Sequence, residues 1–235
     1  MRARLRAGAR EIIAAFDRSG LPADGKITPA MLVDALEVFF EDCDRIDRDY
    51  GPAAEVLAED VSGLADQIFE CLHDLANWAE KFKLREPRVA VLDISLEVAQ
   101  WCMRHKGQLR QLGPVVAALA NRTNQAGSLN ACIALSDAYE AVILNVAIRL
   151  QGDRSSSDPA RPWRQLLLNS AIVATRTRDL ARMERAFRRM ETHLPSECQA
   201  FFRQASHQVA GIGFSPEARK LVQARNAKWT ARSQG

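Results

Sequence analysis

Glu70 and His73 stand three positions apart, a spacing that sets a carboxylate and an imidazole on one helix face where they could share a metal ion. A carboxylate-bridged metal pair needs a second such couple and two further Glu from other helices. His105, His193 and His207 are preceded at that spacing by Cys102, Met190 and Gln204, so the second couple is missing. Cys102 and His105 could themselves hold zinc, but such a site takes three or four protein ligands and no partner cluster is visible. No metal is expected at these positions, and core or helix-surface roles are expected instead.

Residues 16–27 have the outline of a calcium loop between two helices. Asp17, Ser19 and Asp24 would be oxygen donors, Gly25 the sharp turn and Ile27 the apolar residue after it. Three extra residues separate Ser19 from Asp24, and Met31 holds the place of the closing bidentate Glu. Methionine cannot chelate calcium, so a plain helix–turn–helix is expected. The run Asp42, Asp44, Asp47, Asp49 is interleaved with Arg45 and Arg48, which predicts a solvated, partly self-paired helix end. There is no Gly-rich phosphate loop, no G-x-S-x-G and no H-E-x-x-H. Gly211-Ile212-Gly213 lacks the strand that precedes a nucleotide fingerprint. No catalytic residue and no cofactor is assigned, although a nucleophile assembled only by folding stays open.

Charge gives a more specific signal. Residues 26–100 carry seven basic and seventeen acidic groups, whereas residues 101–235 carry twenty basic and nine acidic groups. Within the basic half, Leu180, Met183, Phe187, Met190 and Leu194 cluster on one side of a helical wheel. Arg182, Arg185 and Arg189 fall on the opposite side, with Arg178 just before the helix. These four arginines are the candidate charge partners for another protein, or for nucleic acid through its phosphates. No aromatics interleave with them, so base stacking is not suggested. Trp78 lies on a strong apolar stripe and reads as core. Trp229, near the basic C-terminus, is the candidate aromatic anchor for a partner.

The elements that carry these residues are helical. Ala and Leu abound while Thr, Tyr and Ile are sparse, a mix that costs little in a helix. Hydrophobic residues make up 47% but aromatics only 6%, so aliphatic side chains must fill the core. Apolar periodicity predicts helices over 3–18, 29–50, 53–83, 88–105, 114–122, 129–150, 163–176, 179–193, 196–210 and 216–230. Thr28-Pro29 is a helix start, Gly51-Pro52 a stop, and Ser128 a candidate cap. The helix at 129–150 is apolar on most sides, which predicts a central position. The fold class is all-α: nine or ten helices in antiparallel hairpins, as a bundle or an α-solenoid. Residues 151–162, with Gly, Ser and Pro, read as a loop or linker between a 1–150 bundle and a 163–235 hairpin region.

Residues 163–230 resemble a tetratricopeptide repeat. Leu167 falls where that family has its first large residue, and Ala171 on a small position. Asp179-Leu180 matches the inter-helix turn, Phe187 the large residue of the second helix, and Pro195 the end of the unit. A second unit would run from Cys198 through Phe201, Ala205 and Ala218. Met183 and Met190 replace residues the family keeps small, and Arg178 replaces its usual Gly. The resemblance implies a helical-repeat region that binds protein segments.

No apolar run approaches the ~20 residues that cross a bilayer. The basic start, Met1 to Arg6, is not followed by the apolar stretch of a secretory leader. The five cysteines are odd in number and scattered, which suits a reducing cytoplasm. Arg and Ala richness suggests a bacterial source. The expected function is a non-enzymatic helical scaffold or adaptor that binds a protein partner or a second copy of itself. A nucleic-acid-associated protein is the alternative, and an enzyme with an unrecognised helical site the third.

Overall fold

The computed structural model describes residues 1–22, 27–51, 58–151, 161–211 and 213–232. Eleven helices and no strand occur among them, so the all-α class holds. The chain divides into two compact units, Met1–Asn121 with Asn145–Ala147, and Arg122–Leu144 with Ile148–Gly235.

The first unit holds α1 (Arg2–Arg18), α2 (Pro29–Tyr50), α3 (Ala58–Lys81) and α4 (Arg85–Arg104), together with the start of α5 (Gly113–Gln125). α3 packs along α4 and α2, and α1 lies against α4 and α2. Leu5, Ile12, Leu36, Phe40, Ile68, Leu72, Val91 and Val98 form its core. α1 and α4 approach closely at Gly8, where an added Cβ would sit 3.2 Å from that of Ala90. The start of α2 is as the sequence suggests: the Thr28 hydroxyl accepts from the Met31 N–H at 3.3 Å, with Pro29 in the first turn. Gly51 ends the helix at φ 91°, a conformation that favours glycine. Asp24 and Gly25 of the calcium-like loop lie outside the described residues. α4 starts at Arg85 and not at 88, so Glu86-Pro87 lies in its first turn, where proline's missing N–H is not needed.

Part of the acidic stretch is answered within this unit. Arg2 of α1 reaches Glu41 and Asp44, Arg6 pairs with Glu37 at 2.6 Å, and Arg4 pairs with Glu97 of α4.

The second unit holds the end of α5, then α6 (Leu129–Leu144), α7 (Ile148–Gln151), α8 (Pro162–Thr177), α9 (Leu180–His193), α10 (Pro195–Val209) and α11 (Pro216–Arg232). α8 packs on α6 and α9, and α10 packs on α11 and α9. Leu167 and Ala171 of α8, Phe187 of α9 and Cys198 of α10 are buried, and Phe187 meets Phe202 edge-on at 5.1 Å.

Two expectations about 129–150 need correction. The helix stops at Leu144, because the backbone finds other partners there. The Leu109 N–H donates to Asn145 O at 2.8 Å and the Ala147 N–H to Leu109 O at 3.0 Å, an isolated parallel bridge between Leu109 and Val146. Nor is this helix enclosed. Cys132, Leu135, Tyr139, Val142 and Ile143 are buried, but Leu144 is 67% exposed. The expected linker at 151–162 falls largely outside the described residues. The division between units lies instead at Asn121, with a short return at Asn145–Ala147, so α6 joins the C-terminal helices. Among the described residues no helix is long and apolar enough to cross a membrane.

Candidate functional site

The arginines of α9 leave the helix as the wheel predicts but do not all reach solvent freely. Arg182 pairs with Asp137 and Arg189 makes a two-pronged pair with Glu140, both carboxylates belonging to α6. This contact holds the Glu140 carboxyl below its ordinary range against the opposing effect of burial, and raises Arg189. Two of the four candidate charge partners are thus neutralised inside their own unit. Arg185 remains exposed. Trp229 is buried, and its indole N–H donates to Glu191 Oε1 at 2.9 Å, so it ties α11 to α9. Glu191 also receives Lys228 at 3.0 Å and faces Arg225 at 3.6 Å.

Arg178 differs from the others. It caps α8 in the left-handed conformation at φ 59°, the place where the repeat family has glycine. Its guanidinium lies over the Phe214 ring at 5.5 Å. Gly213 makes room for it, since a Cβ there would fall 2.2 Å from Arg178 Nη1 and the local φ is 98°. Two residues earlier, the half-buried Arg176 donates to Thr123 O at 2.8 Å and to Ala126 O, carbonyls at the end of α5. Such a cation answers the partial negative charge of a helix C-terminus. Ser128 caps the start of α6, accepting from the Ala131 N–H at 3.2 Å, as its type suggests.

Together these groups border a hollow of about 260 Å³ whose lining includes Ser128, Leu129, Arg176, Arg178, Gln208 and Phe214. No carboxylate lines it, and neither arginine makes an ion pair among the described residues. A second hollow, about 550 Å³ beside α1 and α2, is lined by Arg2, Glu41, Asp42, Asp44, Arg45 and Arg48. Its charges answer one another: Arg2 with Asp44 at 2.5 Å and Arg45 with Asp42 at 2.8 Å. Of these two hollows, the first combines concavity with charge that no described carboxylate answers. Arg176, Gln208 and Phe214 were missed by sequence reasoning. A basic residue in the last turn of α8, beside Arg178, was the available signal for the first. The other two arrive from α10 and the loop after it, through packing alone.

The remaining chemistry-bearing residues have structural partners. His105 is fully buried, with Nε2 2.6 Å from Asp47 Oδ1; a carboxylate only accepts, so the imidazole donates. Trp101 Nε1 donates to the same oxygen at 3.0 Å, and Arg104 stands 3.6 Å from Oδ2. The acidic run is thus not wholly a solvated helix end: Asp47 ties α2 to α4. Cys102 contacts the Gln108 carbonyl, and Glu70 accepts from Gln111 at 2.7 Å while His73 is exposed. Among the described residues no group of three potential ligands could hold a metal ion.

No family model, curated protein or solved structure matches this chain.

Proposed function

We propose that this chain is a non-enzymatic helical adaptor that acts in the cytoplasm and binds another protein through its C-terminal unit. The observation that carries this reading is the hollow bordered by Arg176 and Arg178, two held cations without an opposing carboxylate. Unpaired guanidinium groups beside apolar surface are what interfaces favour, since arginine offers both hydrogen bonds and a flat apolar face. The hairpins around it resemble a repeat whose members bind protein segments, which supports the same reading.

The nucleic-acid alternative loses ground on α9. Phosphate binding needs several cations along a track, and Arg182 and Arg189 already face Asp137 and Glu140. A titration with single-stranded and duplex DNA at low salt tests this directly, and tight binding there would replace the adaptor reading. The adaptor itself is tested by affinity purification from the native host with quantitative mass spectrometry. One protein should be recovered in fixed proportion to the wild-type chain. Light scattering on the purified chain shows whether the partner is a second copy. A chain that is monomeric and recovers nothing in proportion to itself would sink the proposal.

A further inference from the structure

We infer that the hollow at Arg176 and Arg178 receives the carboxylate of an acidic residue in a partner peptide, with an apolar side chain of that peptide resting beside it. The inference rests on the adaptor reading and names what the adaptor would hold.

Charge and its arrangement come first. Arg176 is held by two carbonyls at and just past the end of α5, Thr123 O at 2.8 Å and Ala126 O. A guanidinium has five N–H donors in a planar fork, so two such bonds leave others for a ligand. Arg178 lies over the Phe214 ring at 5.5 Å, a contact that spends none of its N–H donors. Both cations thus have a contact in the free protein that reduces what a ligand must order on binding. The start of α6, capped by Ser128, adds partial positive charge at the same wall.

Size and lining select among anions. At about 260 Å³ the hollow is smaller than most small-molecule sites, which run from roughly 300 to 1,000 Å³. It has room for one or two side chains. Leu129, 49% exposed, and the half-buried Phe214 give it an apolar rim. A polyanion would gain little here. On α9, Arg182 and Arg189 are already paired with Asp137 and Glu140, and Phe214 already carries Arg178 over its ring. One carboxylate flanked by one apolar group matches both the charge and the walls.

The test is selection of phage-displayed random peptides on the full chain, with the selected peptides then measured by fluorescence anisotropy. Selection should enrich Asp or Glu next to a large apolar residue. Replacing that acid by its amide should weaken binding about tenfold or more, as should Arg178→Gln. Arg178→Lys should restore part of the loss. Arg185→Gln, exposed and outside the hollow, should leave affinity unchanged, and circular dichroism of each variant checks that it folds. Peptides enriched without acidic residues, or bound equally well by the Arg178→Gln chain, would overturn the hollow as the site and leave the adaptor reading standing. Failure to select any peptide, together with binding of single-stranded DNA that Arg178→Gln weakens, would overturn both.

Discussion

Burial raises the thiols of Cys43, Cys102 and Cys198, the last two to about 12. Nearby carboxylates add to the shift: Asp47 and Asp44 at Cys43, Asp66 at Cys102. The thiolate is the reactive form, so these residues should be inert in the folded protein at pH 8. Cys71, half-buried and less perturbed, should react first with an aromatic disulfide reagent; the others should react only on unfolding. Stopped-flow labelling with and without urea measures the order. The burial of Trp229 was not legible in the sequence, because a wheel gives the direction of a side chain and not what stands opposite. Glu191, thirty-eight residues earlier, supplies the acceptor that turns this tryptophan inward. Arg178 was selected for its charge, yet its special position comes from a left-handed cap and from Gly213, both tertiary consequences.

Between helices, the informative contacts are polar ties whose partners lie far apart in sequence. Asp47→Ala would remove the acceptor for Trp101 Nε1 and His105 Nε2, both on buried side chains joining α4 to α2. Leaving buried donors unsatisfied costs about 1–3 kcal/mol, so urea unfolding of this variant should show a loss near 2 kcal/mol. Asp49→Ala, on the exposed side, should change stability by less than about 0.5 kcal/mol. The Glu140–Arg189 tie gives a pH dependence. Its hydrogen bond from Arg189 lowers Glu140 below the ordinary 4.5 despite burial. The stabilisation is therefore present above the unfolded value and lost as pH falls through the lower folded one. Melting temperature should drop as pH is taken from about 5 to about 3, and Glu140→Gln should flatten part of that slope. Helix positions themselves were read well from periodicity, since burial of one face imposes it. The end of α6 was not, because the Leu109–Val146 bridge competes for its backbone and leaves no periodic trace.

At the level of the whole chain, composition and helical period fix an all-α fold, and the eleven described helices exceed the ten predicted ranges by a short one, α7. Four acidic groups of residues 26–100, Glu37, Glu41, Asp44 and Glu97, are met locally by the arginines of α1. A Gly/Ser/Pro-rich stretch marks where a chain is free to turn, which need not be where one core stops and another begins. A fragment of residues 1–121 tests the division. It lacks Asn145–Ala147, so the Leu109 amide and carbonyl lose their mates; it should unfold at lower urea than the same unit within the full chain.

That three-residue return has a wider consequence. Because Asn145–Ala147 is claimed by the unit that the chain has already left, the polypeptide passes over the division three times rather than once. The halves are stitched, not strung. No single nick can release either as an uninterrupted piece, and a gene fusion or split at 144–148 would disturb both at the same stroke.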